Sequence, residues 1–170
     1  LYPLDDVELP PVQENDLADC SPVGKGFCRR SWQRWILKQD KWREAVQAYL
    51  ASISYMDAQL GRLLDAFKKS PTVDNTVIVL WSDHGMHIGE KEHWEKFTLW
   101  EESTRVPLIF VAPGITHSGG ICHDPVSLLD VYPTLVELAG HAARPELEGT
   151  SLVPLLQNPK KETGRAVVTT

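Results

Sequence analysis

The sequence has no apolar run long enough to span a bilayer. It also lacks any Lys/Arg-rich stripe of the kind that tracks phosphate backbones, and its net charge of -6 argues against a nucleic-acid surface. The first residues, Leu1-Tyr2-Pro3-Leu4-Asp5-Asp6, have neither the basic start nor the apolar core of a secretory leader. The chain begins without Met, so that end does not report a compartment. Cysteine is scarce: Cys20, Cys28 and Cys122 make an odd count at spacings that match no common zinc pattern. Cys20 and Cys28 could pair in an oxidising compartment, leaving Cys122 over. With 170 residues, 42% hydrophobic and 24% charged, what is present suits one soluble globular unit with a core of its own.

The most informative stretch is Val77-Ile78-Val79-Leu80-Trp81-Ser82-Asp83-His84-Gly85. A β-branched and apolar run without alternation reads as a strand covered on both faces, as in a parallel sheet. In open α/β sheets ligands gather at the carboxyl ends of such strands. Asp83 and His84 therefore stand where a metal or substrate is expected, and Gly85 allows a sharp turn. An Asp that only caps the next turn, with a polar neighbour, is the plainer alternative.

The pattern elsewhere supports an α/β fold. Residues 1 to about 30 carry Pro3, Pro10, Pro11 and Pro22 and read as an extended segment lying over something else. From Trp42 to Lys69, the residues Tyr49, Ile53, Met56, Leu60, Leu63, Leu64 and Phe67 recur at three- and four-residue steps, predicting one amphipathic helix stopped by Pro71. Val106–Val111 reads as a second apolar strand. Asp130 is placed to cap a helix running through Leu138 to Gly140, and Arg165–Thr170 reads as the beginning of another strand. Alternating helices and buried strands indicate an α/β arrangement. Both strands and the helical stripe need partners that the chain barely supplies, which points to part of a larger domain.

Between the strands lies His87-Ile88-Gly89-Glu90-Lys91-Glu92-His93-Trp94-Glu95-Lys96-Phe97. Long polar loops at the carboxyl ends of buried strands commonly carry binding residues. Taken singly, Glu90, Lys91, Glu92 and Glu95 read as solvated surface groups. His87, His93 and Trp94 could shape a substrate pocket or equally be packing residues; for Trp100 packing is the expectation.

Ser82-Asp83-His84-Gly85, Gly89-Glu90, Trp94-Glu95-Lys96 and Arg105-Val106-Pro107-Leu108-Ile109 together resemble the type I sulfatases of the alkaline-phosphatase superfamily, in particular the iduronate-2-sulfatase-like branch. The flanks follow in the family's order: Leu1-Tyr2-Pro3-Leu4, then Ser54-Tyr55-Met56-Asp57-Ala58-Gln59-Leu60-Gly61-Arg62-Leu63-Leu64, then Ser127-Leu128-Leu129-Asp130-Val131-Tyr132-Pro133-Thr134-Leu135, then Glu148-Gly149-Thr150-Ser151-Leu152. The resemblance implies an alkaline-phosphatase-like sandwich with a mainly parallel central sheet flanked by helices. It divides the chain into a Pro-rich segment (1–40), the C-terminal part of the catalytic domain (41–145) and the start of a C-terminal subdomain (146–170). It implies Asp83 and His84 as metal ligands, His84 and Lys96 as catalytic groups with Lys96 on the sulfate, and His87, His93 and Trp94 as candidate substrate contacts. The implied metal is calcium, with manganese or zinc behind it because an imidazole ligand suits them at least as well. The implied nucleophile is a formylglycine hydrate, made from a Cys or Ser that lies upstream and is not in this chain. The substrate implied is a sulfated sugar or glycosaminoglycan, and the compartment periplasmic, secreted or lysosomal.

Cys20-Ser21-Pro22-Val23-Gly24 begins like the family's Cys-x-Pro-x-Arg nucleophile motif, but Gly24 stands where the Arg belongs. Asp5-Asp6 does not follow a buried strand, so it is a poor match to the first metal pair. Cys20 is accordingly read as a decoy, and the 170-residue chain by itself as inactive. Two other readings stay open: a phosphodiesterase or phosphonate monoester hydrolase of the same superfamily, and a binding module that has lost its chemistry.

Overall fold

The computed structural model describes residues 1–28 and 30–169. The chain forms two compact units, Leu1–Ser70 with His84–Val106, and Pro71–Asp83 with Pro107–Thr170. These interleave along the sequence. Among the described residues no helix is long and apolar enough to cross a membrane.

The first unit is built on a long helix. After a 3-10 turn at Leu4–Asp6 come α1 (Pro22–Phe27), α2 (Arg30–Lys38) and α3 (Trp42–Phe67). Ser21 starts α1 by accepting from the Gly24 amide at 3.1 Å, and Pro22 fills the first helical position, where no backbone donor is needed. The Pro-rich start is thus not extended throughout. Its first ten residues do lie over α3: Val7 joins Ile36, Val46 and Trp94 in a buried cluster flanked by Tyr2, Leu9, Trp42, Ala45, Leu50 and Ile88. Tyr2 Oη lies 2.7 Å from Ser54 Oγ, and Gln47 donates to the Tyr2 carbonyl at 2.6 Å.

α3 ends two residues before the expected Lys69, as Pro71 requires. Its stripe is covered only near its start: Ile53, Met56 and Leu63 are 44%, 51% and 66% exposed, since the buried cluster gathers on the first turns. The unit continues with a hairpin, β2 (His87–Ile88) antiparallel to β3 (Trp94–Glu95), in the register His87↔Glu95 and Ile88↔Trp94. A single-turn helix, α4 (Glu101–Thr104), closes it.

In the second unit β1 (Ile78–Trp81) pairs with β4 (Leu108–Val111), Ile78↔Val111 through Trp81↔Leu108. The pairing is antiparallel, so the parallel arrangement expected from the unbroken apolar runs is absent from this pair. The strands are only half-buried, with Trp81, Ile109 and Val111 near 50% exposed. An apolar run reports what a strand can bury, not the direction of its neighbour.

Two helices, α5 (Val131–Leu138) and α6 (Val153–Gln157), complete this unit. Asp130 stands at the N-cap position of α5, as expected, but makes no side-chain cap bond there. Ser127, not Asp130, is the N-cap of the 3-10 turn Leu128–Asp130 that leads into α5, and Asp130 reaches back to the Ser127 amide at 2.8 Å in a capping box. Gly140, at φ 72°, ends α5 as anticipated. No strand forms over residues 165–169; Thr170 lies outside the described residues.

Candidate active site

Asp83 lies two residues past β1 and is exposed. His84, next in the chain, is half-buried. His84 Nδ1 is 2.7 Å from the Gly85 carbonyl. A carbonyl only accepts, so Nδ1 carries the proton and Nε2 presents its lone pair. Lys96 Nζ donates to that nitrogen at 2.6 Å, across twelve residues of chain.

The turn that aims His84 depends on Gly85. Its amide donates to the Ser103 carbonyl at 2.8 Å, and a Cβ at this position would stand 2.0 Å from the Glu102 carbonyl oxygen. No other residue fits so close a backbone approach. Gly89 begins the hairpin loop at φ 132°, and any side chain there would meet the Trp42 ring at 2.4 Å.

The hairpin delivers Lys96. His87 and His93 are both fully buried, at 0% exposure, with their rings edge to face at 5.0 Å. His87 Nδ1 donates to the Glu90 carbonyl at 3.1 Å, and its Nε2 lies 2.7 Å from Thr98 Oγ1, which is 2.9 Å from Ser103 Oγ. His93 Nε2 donates to the Lys96 carbonyl at 2.8 Å. Trp94 is buried at 7% exposure, and its indole N–H is bonded to Gln33. The three residues offered as substrate contacts are therefore packed inside the first unit.

The charged residues of the loop are more engaged than solvated groups would be. Glu90 accepts from the Ile88 amide at 2.8 Å, Lys91 meets Asp16 at 2.6 Å, and Glu92 meets Arg30 at 3.2 Å. Trp100 is half-buried against His87, as a packing residue should be. The sequence held no local sign of Asp16, 75 residues from Lys91, nor of the Thr98–Ser103 hydroxyl pair.

Burial pushes the His87 pKa below its ordinary value, because the enclosed ring resists taking a charge. The unfolded chain then binds a proton more readily than the folded one, so stability is fully present above about pH 6.5 and declines as pH falls through that value. A thermal-unfolding series between about pH 7.5 and 5.5 should show this decline. It should flatten in His87→Gln; an unchanged slope would assign the acid sensitivity elsewhere.

At the other candidate positions, Cys20 precedes the Ser21 cap, and all three cysteines are free thiols. Gly24 sits inside α1, and Asp5 and Asp6 lie in an exposed turn. Among the described residues no group of three or more His, Cys, Asp or Glu side chains is gathered to hold a metal.

The chain belongs to the sulfatase family, whose model matches residues 9–141. It is 44% identical over 160 residues to a sulfatase of Formosa agariphila, covering 92% of this chain and 31% of that protein. It is 35% identical over 183 residues to human iduronate 2-sulfatase, covering 82% of this chain and 32% of that protein. The chain thus spans about a third of the length of these relatives. Among solved structures, one described in complex with its substrate D-glucosamine-2-N,6-O-disulfate is similar at TM-score 0.67 and 34% identity, over 70% of this chain and 24% of that one. A phosphonate monoester hydrolase of Agrobacterium radiobacter is similar at TM-score 0.61 and 33% identity, over 69% and 24%.

Proposed function

We propose that this chain is part of a sulfuric-ester hydrolase acting on a sulfated sugar or glycosaminoglycan, and that it supplies one pair of metal ligands and the lysine that meets the sulfate. The observation that supports this reading most is the contact of Lys96 Nζ with His84 Nε2 at 2.6 Å, in a member of the sulfatase family. A sulfate ester carries spread negative charge, and cleavage builds more on the leaving oxygen. A fixed ammonium with little freedom to reorganise stabilises charge that develops within its reach.

Asp83 and His84 would hold the metal. Their donors fit a divalent ion in part. Asp83 offers carboxylate oxygens, and the Gly85 carbonyl fixes the His84 tautomer that leaves Nε2 as the ligand atom; its one lone pair would pass from Lys96 to the ion, freeing the ammonium for the sulfate. Calcium takes six to eight oxygens, so further ligands belong to other parts of the full polypeptide. Calcium is the first choice for the carboxylate, with manganese or zinc favoured only by the imidazole. When bound, the ion would polarise the ester oxygen as a Lewis acid. The nucleophile is assigned to a formylglycine made from an upstream Cys or Ser. Cys20 is set aside because the residues after it form a helix cap and first turn with glycine in the place of the needed Arg. The half-exposed β1–β4 pair is read as an antiparallel portion of a larger, mainly parallel alkaline-phosphatase-like sheet, an arrangement common in mixed sheets.

The test uses the full-length polypeptide that carries this chain. It compares kcat/KM on 4-nitrophenyl sulfate, 4-nitrophenyl phosphate and a phenyl phosphonate monoester, with and without EGTA. Preference for the sulfate ester, lost with EGTA and restored by calcium, is the expected outcome. Preference for the phosphonate ester would favour the second reading, to which the Agrobacterium radiobacter structure lends support. No turnover of any of the three would favour a binding module.

A further inference from the structure

Lys96 sits in a strained piece of backbone. Glu95 before it and Phe97 after it both have positive φ, 76° and 70°, although neither is glycine. In the left-handed region the Cβ of a non-glycine residue crowds the following carbonyl oxygen, so the conformation is strained. Such strain persists only where the surroundings over-determine the conformation. Three features surround it here. Glu95 is held in the β2–β3 register opposite His87. Trp94 is anchored in the core. His93 donates to the carbonyl of Lys96 itself. Of these, only the His93 bond acts on the residue whose side chain reaches His84.

We propose that His93 is a positioning residue: its Nε2–H bond to the Lys96 carbonyl holds the 95–97 backbone in the strained conformation from which Lys96 Nζ reaches His84. The assignment rests on the sulfatase reading for its kinetic consequence, though not for the backbone clamp itself. His93 is fully buried and touches no solvent, so it acts through Lys96 and not on substrate directly. His87 supports it from behind, ring edge against ring face.

The experiment is a double-mutant cycle in the full-length polypeptide with 4-nitrophenyl sulfate, joined to amide hydrogen exchange over residues 94–98. His93→Gln places an amide N–H where the imidazole Nε2–H stood, whereas His93→Leu removes the donor. His93→Leu should lower kcat about 100-fold, the scale of a displacement near 1 Å, with a smaller change in KM. His93→Gln should recover most of that loss. In a Lys96→Met background the His93→Leu change should alter the residual rate no more than about twofold, since coupled sites are non-additive. Exchange over 94–98 should quicken in His93→Leu and stay slow in His93→Gln.

An equal loss in both backgrounds would show a merely structural role and overturn the proposal. So would wild-type kcat in His93→Leu, or a His93→Gln variant as impaired as His93→Leu. Should His93→Leu fail to fold, His93→Gln alone decides, near-native kcat and slow exchange supporting the clamp. Absence of sulfate-ester turnover by the wild type would remove the sulfatase reading. Exchange over 94–98 would then still decide the clamp, unchanged protection in His93→Leu overturning it.

Discussion

Replacing Lys96 with Met in the full-length polypeptide is expected to lower kcat on an aryl sulfate by about 10²–10³-fold, the range seen when one preorganised donor to a developing charge is removed. Met keeps most of the length and apolar stem of the lysine, so the local packing should survive. What is lost is the ammonium that His84 Nε2 accepts from at 2.6 Å. Because that charge matters most where negative charge grows, the loss should fall chiefly on kcat, with KM moving less. Calcium affinity gives an independent check. On the proposed reading Lys96 Nζ and a metal ion would compete for the same His84 lone pair, so titration calorimetry should find calcium binding to Lys96→Met no weaker than to wild type. A variant retaining wild-type kcat would take Lys96 out of the chemistry. Weaker calcium binding would mean the lysine supports the metal pair.

The largest expected effect on stability lies elsewhere, at Asp130. This carboxylate is fully buried, at 0% exposure, and ties three separate segments together. It accepts from the Ser127 amide at 2.8 Å, from the Thr150 amide at 2.8 Å, and from Arg165 at 3.0 Å. Asp130→Ala would remove the acceptor of two part-buried amides and leave Arg165 without this partner. An orphaned buried donor costs about 1–3 kcal/mol, and breaking a buried ion pair from one side about 3–5 kcal/mol. Arg165 keeps 23% of its side chain exposed and can turn toward water, so the total should lie near the lower end, about 3 kcal/mol. For a chain of this size that is a fall in Tm of roughly 6–12 °C. Asp130→Asn keeps one accepting oxygen and should lie between the two. Thermal unfolding followed by circular dichroism checks both, and a Tm within about 2 °C of wild type for Asp130→Ala would refute the assignment.

Much of the architecture was legible because it is written in short-range periodicity. The three- and four-residue spacing from Tyr49 to Phe67 is a property of one helix, and α3 follows it to within two residues. The two apolar runs before Asp83 and after Arg105 became β1 and β4. The family resemblance named His84 and Lys96 as separate members of one site, a metal ligand and a sulfate contact; their contact at 2.6 Å is a finding of the structure alone.

Other expectations depended on what packs against what, and there the local pattern misled. Glu90, Lys91 and Glu92 read as surface charges, yet each has a polar partner, two of them from the amino-terminal segment or α2. Asp130 read as a helix cap because it precedes an apolar run. It does stand at the N-cap of α5 but makes no side-chain cap bond there; Ser127 three residues earlier caps the preceding 3-10 turn through the Leu129 amide, while Asp130 folds back to the Ser127 amide.

The amino-acid order alone determined the family and the strand that leads to Asp83 and His84, and it singled out Lys96 as a candidate. These follow from residue types at short spacing, where covalent geometry leaves few choices. Tertiary structure alone decided the antiparallel pairing of β1 with β4, the burial of His87 and His93, and the left-handed backbone on either side of Lys96. Strand direction and burial are set by surfaces that arrive from distant parts of the chain. Backbone strain at Glu95 and Phe97 is tolerated only because those surfaces hold it, so no local sequence signal announces it.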